Sequence, residues 1–170
     1  MCEKPLVASL AAIDRIDAVA QRAGCSVFPV FNYRDGAGFQ QFLDLAGAGR
    51  FGAPLVSTVE VGLLRGADDY EGSWRGTKAG EMGGCLASHA IHHFDMLLSA
   101  LGRPTSAMAL TATRVNDIET EDCAAGVLGS DNGAFASFAV TLGLVTARYK
   151  AADLGAPVEI PVSHDDDRCT

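Results

Sequence analysis

The chain is short of basic charge, carries no paired-cysteine motif and has no long apolar run. Lysine and arginine number 13 against 21 aspartates and glutamates, a net charge of -8. Nucleic-acid binding needs a basic surface to meet phosphate, so that balance excludes nucleic acid as a partner. No apolar stretch is long enough to cross a bilayer, so no membrane partner is expected. The opening MCEKPL lacks the basic and apolar parts of a secretion signal. Cys2, Cys25, Cys85, Cys123 and Cys169 are scattered and odd in number, which is neither a disulfide framework nor a zinc spacing. A cytoplasmic, reducing compartment is expected, with Cys25 and Cys85 as small apolar fillers. What remains is 170 residues, 48% hydrophobic, enough for one real core or two small ones.

The most informative stretch is Gly83 to Leu98, GGCLASHAIHHFDMLL. Leu86, Ala90, Phe94, Leu97, Leu98 and Leu101 recur at helical spacing and predict one apolar face. Ser88, His89 and His92 fall together on the other side of the wheel. Titratable imidazoles grouped there point to a site, whereas spare histidines on a half-exposed helix are the ordinary alternative. A metal site built from His89, His92, His93 and Asp95 is not expected. The HExxH pattern is absent, and the wheel turns His93 toward the apolar side.

Around this helix the pattern alternates. Ser9 predicts an N-cap for a helix that Gly24 ends. Ser26 to Asn32 reads as a short buried strand weakened by Pro29, and Tyr33 to Gly36 as a turn. A helix from Phe39 to about Ala48 and a strand from Leu55 to Leu63 follow. A long polar loop from Arg65 to Gly84 then holds Trp74; loops of that length are uncommon without a function. Gly102-Arg103-Pro104 ends the histidine helix. Ser106 to Val115 alternates like a strand, and Ser130 to Gly133 signals a hairpin between Cys123–Leu128 and Ala134–Leu142. Weak strand character returns at Arg148–Lys150 and at Pro157–Val162, before an acidic end expected to fray.

Four segments in order resemble one family, the Gfo/Idh/MocA oxidoreductases, which are NAD(P)-dependent dehydrogenases acting mostly on sugars and cyclitols. Glu3-Lys4-Pro5 is similar to the family's EKP motif and Phe31-Asn32-Tyr33-Arg34 to its strand ending in YR. Ser73-Trp74-Arg75-Gly76 with Gly83-Gly84 forms the third, and His89 to Asp95 resembles the GxHxxD stretch. Glu121-Asp122 and Asn132-Gly133-Ala134 continue the likeness, which covers roughly residues 2 to 142.

The resemblance implies that Lys4 and His92 are catalytic, Lys4 orienting substrate and nicotinamide and His92 exchanging the hydroxyl proton. It implies that Glu3, Lys4, Pro5 and Arg75 face the cofactor, NAD or NADP. Arg75 is a residue of the kind that approaches the cofactor or an anionic substrate group. Tyr33, Arg34, Trp74, Ser88 and His89 are implied to contact a sugar-like substrate. The ordinary readings are a solvated lysine at Lys4 and a loop anchor at Trp74-Arg75. Many members carry an aspartate where this chain has Ser88, and a serine cannot stabilise an imidazolium by charge.

The spacing GxGxxG occurs once, at Gly47 to Gly52, but it leads from a predicted helix into a strand, so the family's Gly-rich strand-to-helix phosphate turn has no counterpart here. The expected fold is α+β, with a Rossmann remnant leading into a mostly antiparallel open sheet covered by helices on one face. Residues 1–36 are read as that remnant, 37–145 as an incomplete substrate and oligomerisation domain, and 146–170 as a divergent tail. The expected function is a fragment of an NAD(P)-dependent oxidoreductase for a sugar-like or cyclitol substrate, without activity or cofactor binding of its own. The alternatives are a non-catalytic sheet domain for homo-oligomer assembly and one half of a split dehydrogenase. Val59, Val61, Phe135, Phe138 and Val140 are the expected apolar surface for assembly.

Overall fold

A computed structural model describes residues 1–142. The expected weak strands at 148–150 and 157–162, and the tail from 146, lie outside the described residues. Helix α1 (Leu10–Ala23) starts where the Ser9 hydroxyl accepts the Ala12 amide. It stops at Gly24, whose φ of 63° closes the last turn in a conformation that costs glycine little. Ser26 to Asn32 is not a buried strand. It makes one parallel bridge, Cys2 with Pro29, and most of it is exposed, Cys25 before it included. Pro29 has no amide to extend a ladder. A turn over 32–35 then leads into α2 (Ala37–Gly47).

Strand β1 (Val56–Gly62) is followed by the region expected to be a plain loop. That region instead contains a 3-10 turn, Ala67–Asp69, and a short helix, α3 (Lys78–Glu81), capped by the Thr77 hydroxyl. The histidine segment opens as a π-helical turn, Leu86–Ala90, and continues as α4 (Ile91–Leu101). Strands β2 (Pro104–Ala112), β3 (Cys123–Ser130) and β4 (Phe135–Thr141) complete the sheet in the order β1-β4-β3-β2. The β2–β3 and β3–β4 pairs are antiparallel, and β1 lies parallel to β4. The result is the expected α+β, mostly antiparallel open sheet.

Alternation along β4 decides which face is covered. Ala136, Phe138 and Val140 are buried, whereas Phe135, Ser137 and Ala139 are exposed. Register places Val59 opposite Phe138 and Val61 opposite Val140 on the covered face. Phe94 of α4 meets Phe138 edge-on at 5.1 Å between ring centroids, and Leu97 and Leu101 pack beside Ala134 and Ala136. Each such large side chain, fully buried, contributes about 1.5–3 kcal/mol. The surface expected for assembly is thereby corrected. Val59, Val61, Phe138 and Val140 belong to the helix-side face, and only Phe135 of that set faces outward.

Both ends of the histidine helix are held by the ends of β3. Just before it, the Glu121 carboxylate accepts the Gly84 and Leu86 amides at 3.0 and 3.2 Å, and the Glu121 carbonyl accepts that of Cys85. A carboxylate there also complements the positive end of the helix. Asp122 is fully buried and accepts three amides, those of Arg114, Val115 and Asn116, at 2.7–2.9 Å. At the far end, Asn132 in the β3–β4 turn donates to the Leu101 carbonyl at 2.8 Å, and Ser130 donates to the Arg103 carbonyl at 3.0 Å. The helix start leaves no space: a Cβ on Gly84 would run into the Glu121 backbone. Gly84→Ala is therefore expected to cost about 2–4 kcal/mol of stability. Urea unfolding of the variant measures this, and a change under about 0.5 kcal/mol, typical of an uninvolved surface position, contradicts it.

Candidate active site

The π turn gives the histidine helix its useful geometry. The Gly84 carbonyl accepts both the Ser88 amide at 2.9 Å and the Ser88 hydroxyl at 2.7 Å. A serine that bonds back one turn in this way disturbs regular helix bonding, and π turns of this kind often lie at functional positions. The Ser88 carbonyl accepts the Lys4 ammonium, tying the N-terminal segment to the turn across 84 positions of sequence. The Lys4–Pro5 peptide is cis.

The turn at 32–35 docks on α4 from the same side. Arg34 pairs with Asp95 through two charge-assisted hydrogen bonds, one of them 2.9 Å long. Its neighbour Tyr33 meets the His92 ring at 5.0 Å and the His93 ring at 5.5 Å between centroids. Between these parts and the C-terminal end of β1 lies a cleft of about 440 Å³. Lys4, Tyr33, Arg75, Ser88, His89 and His92 all line it. The structure does not bring the other implied residues to its lining. Arg34 is committed to Asp95, Glu3 is exposed, and Pro5 is half-buried away from the lining. Trp74 stands outside as a platform with the Arg75 guanidinium 5.1 Å above its ring.

Three lining residues escaped the sequence reading: Glu60, Arg65 and His93. Glu60 and Arg65 sit at the C-terminal end of a parallel strand, where ligands of α/β folds collect, and that position was the available signal. His93 lines the cleft and meets the Tyr33 ring edge-on. It does not lean into the core as expected.

The electrostatics of the cleft are dominated by burial and by cations. His89 is pushed down to about 4, first by burial and then by Arg65. Arginine can only donate, so the contacts of 3.3 and 3.1 Å from Arg65 make His89 Nε2 an acceptor. Neutral His89 then carries its proton on Nδ1, which faces the Ser88 hydroxyl at 2.7 Å. A fixed chain results, from Arg65 to His89 to Ser88 to the Gly84 carbonyl. His92 is also lowered from the ordinary histidine value, by burial, then Lys4, then His93. Its Nδ1 is buried without a hydrogen-bond partner among the described residues, as is that of His93. Burial lowers Lys4 as well, with Glu3 acting against it and Arg75 adding to it. Cys85, fully buried, is pushed up to about 12 by burial and is an inert filler as expected.

A family model for the GFO/IDH/MocA C-terminal domain matches residues 39–153. No curated protein matches the sequence. Among solved structures, the WlbA dehydrogenase from Bordetella pertussis, in complex with NADH and UDP-GlcNAcA, is 32% identical with a TM-score of 0.77. The match covers 82% of this chain and 44% of that one. The WlbA dehydrogenase from Chromobacterium violaceum, with the same two ligands, is 30% identical over 82% of this chain and 41% of its own, again at a TM-score of 0.77. The aldose-aldose oxidoreductase from Caulobacter crescentus, 24% identical at a TM-score of 0.75, shares the fold over 83% of this chain and 42% of its own. The chain thus spans well under half the length of these relatives.

A histidine held neutral in the fold takes up its proton more readily when unfolded. Stability is therefore fully present above about pH 6.5 and declines as pH falls toward about 4 through the titration of His89. Allowing for solvent screening of a half-buried group, the loss is on the order of 1–2 kcal/mol. Urea unfolding measured from pH 7 to pH 4.5 should show the decline, and His89→Gln should flatten much of it. An unchanged slope in the variant would contradict the assignment.

Proposed function

The chain belongs to the GFO/IDH/MocA family, and from that premise we propose that its cleft serves an NAD(P)-dependent oxidoreductase acting on a sugar-like or cyclitol hydroxyl or carbonyl. The observation that carries this reading is the convergence of Lys4 and His92, far apart in sequence, on one cleft. NADH accompanies both WlbA relatives in their structures, and UDP-GlcNAcA is the second ligand there. Lys4 and Arg75 line the cleft, as a reading at the nicotinamide end of such a cofactor requires, while the one GxGxxG string, Gly47 to Gly52, joins a helix to a strand and is no strand-to-helix phosphate turn. When bound, the cofactor supplies hydride acceptance at its nicotinamide ring.

The side chains supply the rest. His92 is kept neutral by burial and by Lys4, so it can take the hydroxyl proton of an alcohol as its carbon loses hydride. Its Nδ1 is buried, which leaves Nε2 as the nitrogen for that exchange. Tyr33 packs against the ring and fixes its plane. Lys4, held by the Ser88 carbonyl, offers positive charge to the alkoxide that develops. Within this reading Glu3 and Pro5 shape the turn that presents Lys4 to the cofactor. Residues 1–36 act as the cofactor-facing segment and 37–145 as the substrate domain.

Assembly is the second reading, favoured by the outward face of the sheet. Leu110 is 82% exposed and Met108 73%, and register sets Met108 beside Val127 and Leu110 beside Ala125 on the face that also carries Phe135. A homo-oligomer that buries this face, or a separately encoded nucleotide-binding half, would both suit a chain without a Gly-rich strand-to-helix turn among the described residues.

Titration with NADH, read by quenching of Trp74 fluorescence, tests the catalytic reading. Saturation near or below about 100 µM, roughly -5.5 kcal/mol, is the result this reading requires, against the sequence expectation of a fragment without cofactor binding of its own. His92→Asn should keep that binding while lowering turnover of a sugar-like substrate by about 10²-fold or more. No quenching in a sample that melts cooperatively overturns catalysis by this chain and leaves assembly. Assembly itself predicts a dimer or larger species on a sizing column, which Leu110→Lys reduces to monomer.

A further inference from the structure

His92, read above as the residue that exchanges the proton, sits near a carboxylate that does not bond to it. Asp95 lies three residues on in α4, a spacing at which helical side chains meet. Its side chain is only 8% exposed. Arg34 takes both carboxylate oxygens, Nε donating to Oδ2 at 2.9 Å and Nη2 donating to Oδ1. A two-pronged pair of this kind fixes geometry as well as charge. His92 Nδ1 meanwhile has no hydrogen-bond partner among the described residues.

Aromatic contacts hold the His92 ring instead. Phe31 meets it edge-on at 5.9 Å between centroids, and Tyr33 lies against it at 5.0 Å. Both belong to the segment that carries Arg34, whose guanidinium stands 5.6 Å above the Phe31 ring. The Arg34 amide donates to the Phe31 carbonyl at 3.0 Å, and Gln40 of α2 donates to the Arg34 carbonyl at 2.6 Å. The backbone at Arg34 is thereby set, and its side chain reaches across to α4. A catalytic imidazole commonly takes its orientation from a carboxylate on its second nitrogen, and such a partner also favours the imidazolium. A base has to be neutral to accept a proton.

We propose that Arg34 is a positioning residue for His92 that acts through Asp95, taking up that carboxylate so that the imidazole stays free in the Phe31–Tyr33 slot. The proposal rests on the reading of His92 as the proton-exchanging group and says how that group is kept able to accept. Other charges face the ring from each side. Lys4 and Glu3 approach from the N-terminal segment, and His93 shares α4. Burial, Lys4 and His93 hold His92 below the ordinary histidine value, while Asp95 and Glu3 act against them. Glu60, Arg65 and Arg75 complete the charged lining of the cleft and are common to every variant below. Released by Arg34, Asp95 becomes the stronger opponent of that lowering.

The test follows the His92 ring protons of the full chain by nuclear magnetic resonance against pH, with His92→Asn assigning the signals. Arg34→Gln should raise the titration midpoint, increasing the charged fraction of His92 at neutral pH about threefold or more. Arg34→Lys, which keeps the charge but not the fork, should recover most of the original midpoint. Asp95→Asn alone should lower it, because Arg34 then stands near the ring without its counter-charge. Joined to Arg34→Gln, Asp95→Asn should bring the midpoint back, since neither charge remains. A midpoint that stays raised in the double variant reports a loosened slot rather than a released charge, and overturns the proposal. An Arg34→Gln midpoint equal to that of the unaltered chain overturns it as well. Should Arg34→Gln fail to fold, Asp95→Asn decides alone, and a midpoint that does not fall is the overturning result. These titrations need neither cofactor nor turnover, so their failure is distinct from failure of the NADH titration that tests the catalytic reading.

Discussion

The cleft depends on one mechanical constraint: the histidine helix is clamped at both ends by the ends of a single strand. Glu121 holds its first amides, and the Ser130–Asn132 corner holds its last carbonyls. The lengths agree. A strand of eight residues runs about 26 Å. Five residues of π turn and eleven of α-helix rise roughly 24 Å. With both ends fixed to β3, the helix cannot slide along the sheet, and the imidazoles stay where β1 ends.

Local irregularity then supplies the chemistry. The π turn, with Ser88 bonded back to Gly84, gives Lys4 a carbonyl to hold, and His92 and His93 line the cleft beside it. Serine at that position therefore does something an aspartate could not do in the same way. It accepts the Nδ1 proton of neutral His89 and passes its own to a carbonyl, so the chain from Arg65 ends without a net charge on the turn. A carboxylate there would favour the imidazolium instead.

The two faces of the sheet divide the labour. The inner face is filled by alternating residues such as Phe138 and Val140 under Phe94, and it sets stability. The outer face carries Met108, Leu110 and Phe135 in the open. Catalysis needs only the first and assembly needs the second, so the two readings of the chain address different surfaces.

Much of this was legible in the sequence. Helix α1 followed from Ser9 and Gly24, the hairpin from Ser130 to Gly133, and the family from short motifs in order, because caps and turns are decided by a few neighbouring residues. The grouping of Ser88, His89 and His92 also followed, since helical spacing is local. Other features lay beyond that reach. Which face of β1 and β4 is covered is set by register with a strand some 79 positions away, so Val59, Val61, Phe138 and Val140 were assigned to the wrong side. The π turn depends on the Glu121 backbone and carboxylate arriving from a distant loop. Arg65 gains its meaning only from His89 and Asp69, and Arg34 is tied to α4 because Asp95 takes its guanidinium. Short-range geometry determined the elements and the family. Long-range packing decided which of their side chains share the cleft.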